Sequence, residues 1–300
     1  MIVYTIFIVL LLVMLPGTAH AWGPGTHIEL ALSLLEKASI FTPAVASVIS
    51  GRKKWFLYGS VAADIVLVKK YSGPIHHCHN WSVGRLILDS AVTDRERAAA
   101  YGYLSHLAAD IVAHNYYIPA KIIESYKTKL LSHTYWEMMF DLHVRPEAWG
   151  EMAKIVTDDF SPFDRLLGRS LKKTLFSFRT NKQIFSGILG LQQFKQFRRT
   201  IQGYSKKSRY QLDNDEIQHY MQLANRCATD YLSNPSSNPC FACDPTGAET
   251  IGHAKRIRRQ LNRIVGKDNL KSKEVLGFIS ESKRLLFEGV CRCLSSSPKQ

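Results

Sequence analysis

The sequence has no stretch in which apolar and polar residues alternate for long enough to form a convincing β-strand, which argues against a β-rich fold. It also has no Walker A motif and no glycine fingerprint of a dinucleotide-binding domain, so neither class of nucleotide-binding protein is indicated. Apolar residues instead recur at helical spacing nearly everywhere, which predicts an all-α fold. Thr93 and Glu96 form a capping-box pattern at the start of one long predicted helix.

Acidic residues are scarce relative to basic ones. The chain has 25 Asp and Glu against 39 Lys and Arg, a formal net charge of +14. This excess predicts attraction to an anionic partner, either a phospholipid membrane surface or nucleic acid, and charge alone does not decide between them. The basic residues cluster beyond about residue 160, where phenylalanines are interleaved with them. That pattern fits a membrane-contacting face, ordinary amphipathic helices or a nucleic-acid groove. The phenylalanines are Phe176, Phe178, Phe185, Phe194 and Phe197.

The first residues lack Lys and Arg, but residues 2–15 form an apolar run of signal-peptide length. Ala19-His20-Ala21 is a small-x-small cleavage site. We therefore expect residues 1–21 to be a signal peptide that is cleaved after Ala21, with secretion or export to the periplasm. An uncleaved segment that anchors the chain in the membrane is the alternative.

Cleavage after Ala21 would make Trp22 the new amino terminus. A free α-amino group has a pKa of about 8, so metal binding can remove its proton near neutral pH. Together with the carbonyl oxygen of Trp22 it forms a five-membered chelate. His27, at the start of the next predicted helix, can supply a ring nitrogen. In the alternative interpretation Trp22 is a hydrophobic plug and His27 an ordinary helix residue.

Cysteine is infrequent, with six residues in the chain. In an exported protein an even number permits disulfides, which would join the central three cysteines to the two near the carboxyl terminus. A zinc knot is the alternative, and the sequence does not give the pairing. The first cysteine lies among histidines and is interpreted as a packed thiol. The six are Cys78, Cys227, Cys240, Cys243, Cys291 and Cys293.

His106, Asp110 and His114 follow one another at intervals of four residues, so on a helix they lie within about 80° of one another. His106 and His114 are about 12 Å apart along the helix axis, too far to bind one zinc ion at about 2 Å. This spacing favours two or more metal ions, with Asp110 as a bridging carboxylate. A buried hydrogen-bond chain is the alternative, but His133 and Glu137 on a second predicted helix favour a metal site.

Five patterns together resemble the zinc-dependent phospholipase C family, over about residues 22–140. They are Trp22-x4-His27, Asp64, the His77/His79 pair before Asn80, the His106/Asp110/His114 row and the His133/Glu137 pair. The resemblance implies an all-α, multi-helix bundle of the phospholipase C and zinc nuclease type around a trinuclear zinc site. The short interval between Asp110 and His114 is similar to that of the related glycosylphosphatidylinositol-specific phospholipase D.

The resemblance also implies three sets of zinc ligands. The first set is Asp64, one histidine of the His77/His79 pair, His106 and Asp110. The second set is His114, His133 and Glu137. The third set is the amine and carbonyl of Trp22, His27 and the other oxygen of Asp110. His77 fits the family pattern His-x-x-Asp best, with Asn80 in the last place. His79 is either the alternative ligand or a donor that orients one, and His76 is a third choice.

The activity implied is hydrolysis of a phosphodiester by metal-activated water, most simply a phospholipase C reaction on phospholipids. Asp64 is the candidate to orient or deprotonate the attacking water. A nuclease-like phosphodiesterase and a non-catalytic, zinc-containing lipid-binding protein are the alternatives. We expect residues 1–21 to be the signal peptide, 22–160 the metal-binding catalytic core, and 161–300 a basic helical region that packs on it.

Overall fold

The structure is a computed structural model that describes residues 22–65, 78–128, 133–171, 178–193, 203, 211–235, 238–268 and 272–288. These residues form helices and turns, and no strand occurs among them, which confirms the all-α prediction. The α-helices are α1 (Pro24–Glu36), α2 (Pro43–Gly51), α3 (Lys53–Ala62), α4 (Trp81–Asp89), α5 (Asp94–Val112), α6 (Ile118–Glu124), α7 (His133–Asp141), α8 (Pro146–Thr157), α9 (Ser161–Ser170), α10 (Phe178–Gln193), α11 (Asn214–Ser233), α12 (Ala248–Asp268) and α13 (Ser272–Glu288).

Helix α5 lies at the centre of the fold, and α3, α4 and α11 pack around it. It begins at the capping box that its sequence predicts. The backbone N–H of Glu96 donates to Thr93 Oγ1 at 3.2 Å, and the backbone N–H of Thr93 donates to Glu96 Oε2 at 2.9 Å. From Ala98 onward nearly every side chain of α5 is buried. Polar residues on such a helix are enclosed by protein on several sides.

Gly102 allows α3 and α5 to approach closely. A Cβ atom at this position would lie 2.1 Å from the backbone oxygen of Phe56 and 2.8 Å from the backbone nitrogen of Ser60. Only glycine fits this contact without moving a helix backbone. The contact brings the end of α3, and Asp64 in the turn Ala63–Ile65 that follows it, beside the second half of α5.

After Val112 the chain continues as a π-helical turn, Ala113–Tyr117, and then as α6. The sequence periodicity predicts one helix that ends near residue 115 and another that begins near residue 118, but it does not predict a π-helical turn between them, because residue types do not distinguish α from π hydrogen bonding. Turns of this kind inside helices are frequent at functional sites. The irregular turn carries His114.

The carboxyl-terminal helices pack on the first half of the chain. Helix α11 lies against α1 and α5, α12 lies against α6, and α13 contacts α12 and α6. Phe185 of α10 is buried and Phe178 packs against the core, so these two serve the packing of the fold; Phe176, Phe194 and Phe197 lie outside the described residues. The division of the chain near residue 160 stays a prediction.

The described cysteines are buried. Cys243 is in a disulfide whose partner lies outside the described residues. The sulfur atoms of Cys227 and Cys240 are 3.2 Å apart, and Cys78 packs beside His79. Cys291 and Cys293 also lie outside the part of the chain that the structure describes. Within that part, no helix has the length and apolar character needed to cross a bilayer.

Candidate metal centre

The first group of candidate ligands surrounds one oxygen of Asp110. The Nε2 atoms of His79 and His106 lie 3.0 and 3.2 Å from Asp110 Oδ2 and 3.0 Å from each other. Asp64 Oδ1 lies 3.3 Å from His79 Nε2 and 3.9 Å from His106 Nε2. All four side chains are buried. The turn after α3, helix α5 and the turn before α4 thus bring two imidazoles and two carboxylates together.

The other oxygen of Asp110 faces the amino-terminal helix. His27 Nε2 lies 3.4 Å from Asp110 Oδ1, and the ring of His27 stacks on that of His106 with centroids 3.8 Å apart. The indole of Trp22 is fully buried, 6.5 Å from the His27 ring and stacked on Phe140 at 5.1 Å. Asp110 therefore lies between two sets of candidate ligands, one at each of its oxygens.

A second group lies one turn further along the chain. His133 Nε2 is 3.2 Å from Glu137 Oε1 on α7, and the rings of His114 and His133 are 5.1 Å apart. The rings of His114 and His79 are 6.4 Å apart, so the two groups are neighbours. Each residue of this group, His114, His133 and Glu137, offers one ligand atom. These atoms lie within 4.8 Å of one another, close enough to bind one metal ion. The side chain of His133 is 20% exposed while its Nε2 atom is buried, so this group lies just beneath the protein surface.

Asp110 provides the test of whether these residues fit a metal. Its two carboxylate oxygens are buried, and neither makes a hydrogen bond of regular geometry to another described residue. A buried carboxylate without such bonds costs several kcal/mol unless a cation compensates it. Imidazole nitrogens and carboxylate oxygens are ligands that zinc prefers. The donor set therefore fits zinc.

The protonation states also suit metal binding. Burial acts to raise the pKa of Asp110, but the facing His106, His27 and His79 outweigh it and hold that pKa well below its usual range. Burial, reinforced by His106, lowers the pKa of His27. An ionised carboxylate and a neutral imidazole are the forms that bind metal ions.

Backbone carbonyl groups orient two of the histidines. The Nδ1–H of His106 donates to the carbonyl oxygen of Ser60 at 2.9 Å, and that of His114 donates to the carbonyl oxygen of Pro245 at 2.5 Å. Because a carbonyl oxygen only accepts, Nδ1 carries the proton and Nε2 keeps its lone pair for a metal. Sequence reasoning missed both partners, since a backbone carbonyl has no residue signature.

Asp141, at the end of α7, fixes the start of α1. Its carboxylate accepts hydrogen bonds from the backbone N–H groups of Gly25 and Thr26, at 3.1 and 2.8 Å, and from the Thr26 hydroxyl at 2.6 Å. Burial raises the pKa of this carboxyl to about 6, and the hydrogen bonds oppose part of that rise. Helix α7 thus carries His133 and Glu137 and also anchors the segment that carries Trp22 and His27.

The structure brings most of the predicted ligands to one place: Trp22, His27, Asp64, His106, Asp110, His114, His133 and Glu137. His77 lies outside the described residues, whereas its alternative, His79, is in the first group. His79 is thus placed to act as a ligand, and the choice between His77 and His79 stays a prediction. The assignment of each residue to a particular ion stays a prediction.

Comparison with known proteins agrees with this chemistry. Residues 26–182, more than half of the chain, match the family model described as zinc dependent phospholipase C. Searches of curated proteins and of solved structures return no match. The matched segment contains the candidate histidines and carboxylates, from His27 to Glu137. The chain belongs to the zinc-dependent phospholipase C family, whose metal is zinc and whose substrates are phospholipids.

Proposed function

We propose that this protein is an exported phospholipase C that hydrolyses phospholipids at a site with three zinc ions. The observation that carries the proposal is the convergence of buried imidazoles and carboxylates on the two oxygens of Asp110, within the segment that matches the family. A structural zinc site usually has four protein ligands and no open position. The second group here has three side-chain donors, which leaves room for water or substrate.

We assign the ligands as follows. One zinc would be held by Asp64, His79, His106 and Asp110, a second by His114, His133 and Glu137, and a third by Trp22, His27 and Asp110. The contacts of 3.0 to 3.4 Å between Asp110 and the three histidines support this division. The third site also requires that processing exposes the amine of Trp22, which we propose as the role of cleavage after Ala21. The buried position of the Trp22 indole near His27 supports this requirement.

Bound zinc supplies Lewis acidity, which makes water a nucleophile near neutral pH and stabilises negative charge on a phosphoryl oxygen. The side chains of the site orient the reacting groups. Asp110 holds the two sides of the centre together, and Asp64 is our candidate to orient the attacking water and accept its proton. Trp22 and Phe140 form an apolar wall that limits access of bulk water. The partly exposed His133 marks the edge at which a phosphodiester enters.

An anionic membrane surface is the partner we propose for the basic face of α12. Lys255, Arg256, Arg259 and Arg263 are exposed on one side of this helix. None of the four forms an ion pair with an acidic side chain in the described ranges. Each such charge near an anionic bilayer contributes about 1 kcal/mol of attraction, so the face favours binding to membranes that contain the substrate. Binding to vesicles of phosphatidylcholine with and without phosphatidylglycerol measures this contribution, and equal binding to both would contradict it.

The experiment that tests the activity is hydrolysis of phosphatidylcholine vesicles by the processed chain, with and without a zinc chelator. Release of phosphocholine that stops with chelator and returns with zinc is expected. Release of choline instead would identify phospholipase D cleavage. Single-stranded DNA is the comparison substrate. Cleavage of DNA alone would indicate a nuclease, and retained zinc without hydrolysis of either substrate would indicate a non-catalytic binding protein.

A further inference from the structure

A loop from the carboxyl-terminal region lies against the turn that carries His114. This loop, residues 244–247, connects the short helix Pro239–Ala242 to α12 and lies beyond the segment that matches the family. We propose that it is a positioning element for the second metal group: it fixes the orientation of His114 so that Nε2 faces His133 and Glu137. The proposal rests on the zinc site of the proposed function and adds a role for a part of the chain that the family match does not cover.

The direct contact is between a proline carbonyl and the histidine ring. The carbonyl oxygen of Pro245 accepts a hydrogen bond from His114 Nδ1–H at 2.5 Å, across 131 positions in the sequence. His114 is buried, so no water competes freely for this bond. Because Pro245 holds the proton on Nδ1, the lone pair of His114 is on Nε2, the nitrogen available to a metal.

The neighbouring residue, Asn115, attaches the same loop to the π-helical turn. Its Nδ2 donates to the carbonyl oxygen of Asp244 at 2.8 Å and to that of Ile111 at 3.0 Å. Its Oδ1 accepts from the hydroxyl of Thr250, on α12, at 2.9 Å. Both polar atoms of this buried amide therefore form hydrogen bonds. The turn cannot rotate without breaking bonds to both the loop and α12.

The loop is shaped for this contact. Asp244 accepts hydrogen bonds from the backbone N–H and the hydroxyl of Thr246, at 2.9 and 2.6 Å. Gly247 has a φ of 54° in the left-handed region, and a Cβ atom there would lie 2.4 Å from the backbone oxygen of His114. Both the backbone angle and the space require glycine. A side chain at this position would push the loop away from His114.

The test compares Gly247→Ala with a matched control, Gly252→Ala, in the full processed chain. Gly252 lies on α12, and the nearest atom to its added Cβ would be the end of the Arg256 side chain at 4.0 Å. Zinc affinity is measured by competition with a chromophoric chelator, and the second group is followed by the absorption spectrum of bound Co²⁺. We expect Gly247→Ala to weaken binding of one metal ion about 10- to 100-fold and to change the Co²⁺ spectrum, the range seen for residues that orient ligands. Gly252→Ala should bind like the unmodified chain.

Thr250→Val provides a second variant if Gly247→Ala does not fold. It removes the hydroxyl that holds Asn115 while keeping the side-chain volume, and circular dichroism of the metal-free protein checks that the helices form. Folded variants of both kinds that bind all metal ions with the affinity and spectrum of the unmodified chain would overturn the proposal, as would an unmodified chain that binds no zinc. A chain that binds zinc and hydrolyses no phospholipid would instead refute the proposed function, and this comparison would still be decisive for the loop.

Discussion

Substitution of Gly102 by alanine probes the contact between α3 and α5 on which the metal centre depends. The added Cβ would lie 2.1 Å from the Phe56 oxygen and 2.8 Å from the Ser60 nitrogen, both of them backbone atoms that no side-chain rotation can move. The two helices would therefore have to separate by about 1 Å, and overpacking of this kind costs about 1 to 3 kcal/mol.

The same movement reaches the metal ligands. Ser60 supplies the carbonyl that accepts from His106 Nδ1 at 2.9 Å, and lengthening this bond by about 1 Å takes it outside hydrogen-bond range. Asp64 follows α3 and would move away from His106 with it. We expect Gly102→Ala to lower the free energy of unfolding of the metal-free chain by about 2 kcal/mol, and to weaken zinc binding as well.

The assay is urea unfolding of the metal-free protein followed by circular dichroism, together with zinc titration. Gly187→Ala is the control, because Gly187 lies on α10 with no atom within 4 Å of an added Cβ. There alanine should stabilise the helix by about 1 kcal/mol, since it is the better helix former. A Gly102→Ala variant that is stabilised as Gly187→Ala is, and that binds zinc with unchanged affinity, would show that this helix contact does not position the ligands.

Two further predictions concern carboxylates. Asp110→Asn should remove more zinc than any other single substitution, because Asp110 alone faces two sets of ligands; metal analysis that finds equal loss in His133→Ala would contradict the bridging role. Burial raises the pKa of Asp141 from 3.8 to about 6, so the folded chain retains this proton at pH values where the unfolded chain has lost it. The proton on Asp141 therefore stabilises the folded chain fully below about pH 4. As the pH rises through 6 this stabilisation is lost, and the free energy of unfolding falls by about 3 kcal/mol. Unfolding measured from pH 4 to 7 should show this slope, and Asp141→Asn should remove it; an unchanged slope in the variant would show that another group titrates.

The helical fold and the set of ligand types could be predicted from the sequence because both are local patterns. The capping box at Thr93 marks the start of α5, and the four-residue spacing of His106, Asp110 and His114 places them along one side of a helix. The spacing also predicted a carboxylate between two metal positions, and the two oxygens of Asp110 do face different histidines.

The supporting contacts could not be predicted, because they join distant parts of the chain through backbone atoms. Ser60 is 46 positions from His106, and Asp141 is 115 positions from Thr26. The π-helical turn at His114 likewise makes hydrogen bonds to residues 244–250, far along the chain. Both His77 and His79 fit a metal-binding pattern in the sequence; the structure places His79 in the first group, and His77 lies outside the described residues.

The most direct test of the proposed zinc centre is zinc analysis of protein purified from an exporting host, combined with sequencing of its amino terminus. We expect about three zinc ions per chain, with Trp22 as the first residue. A chain that begins at Trp22 yet contains no zinc, and gains none when zinc is added, would contradict this expectation.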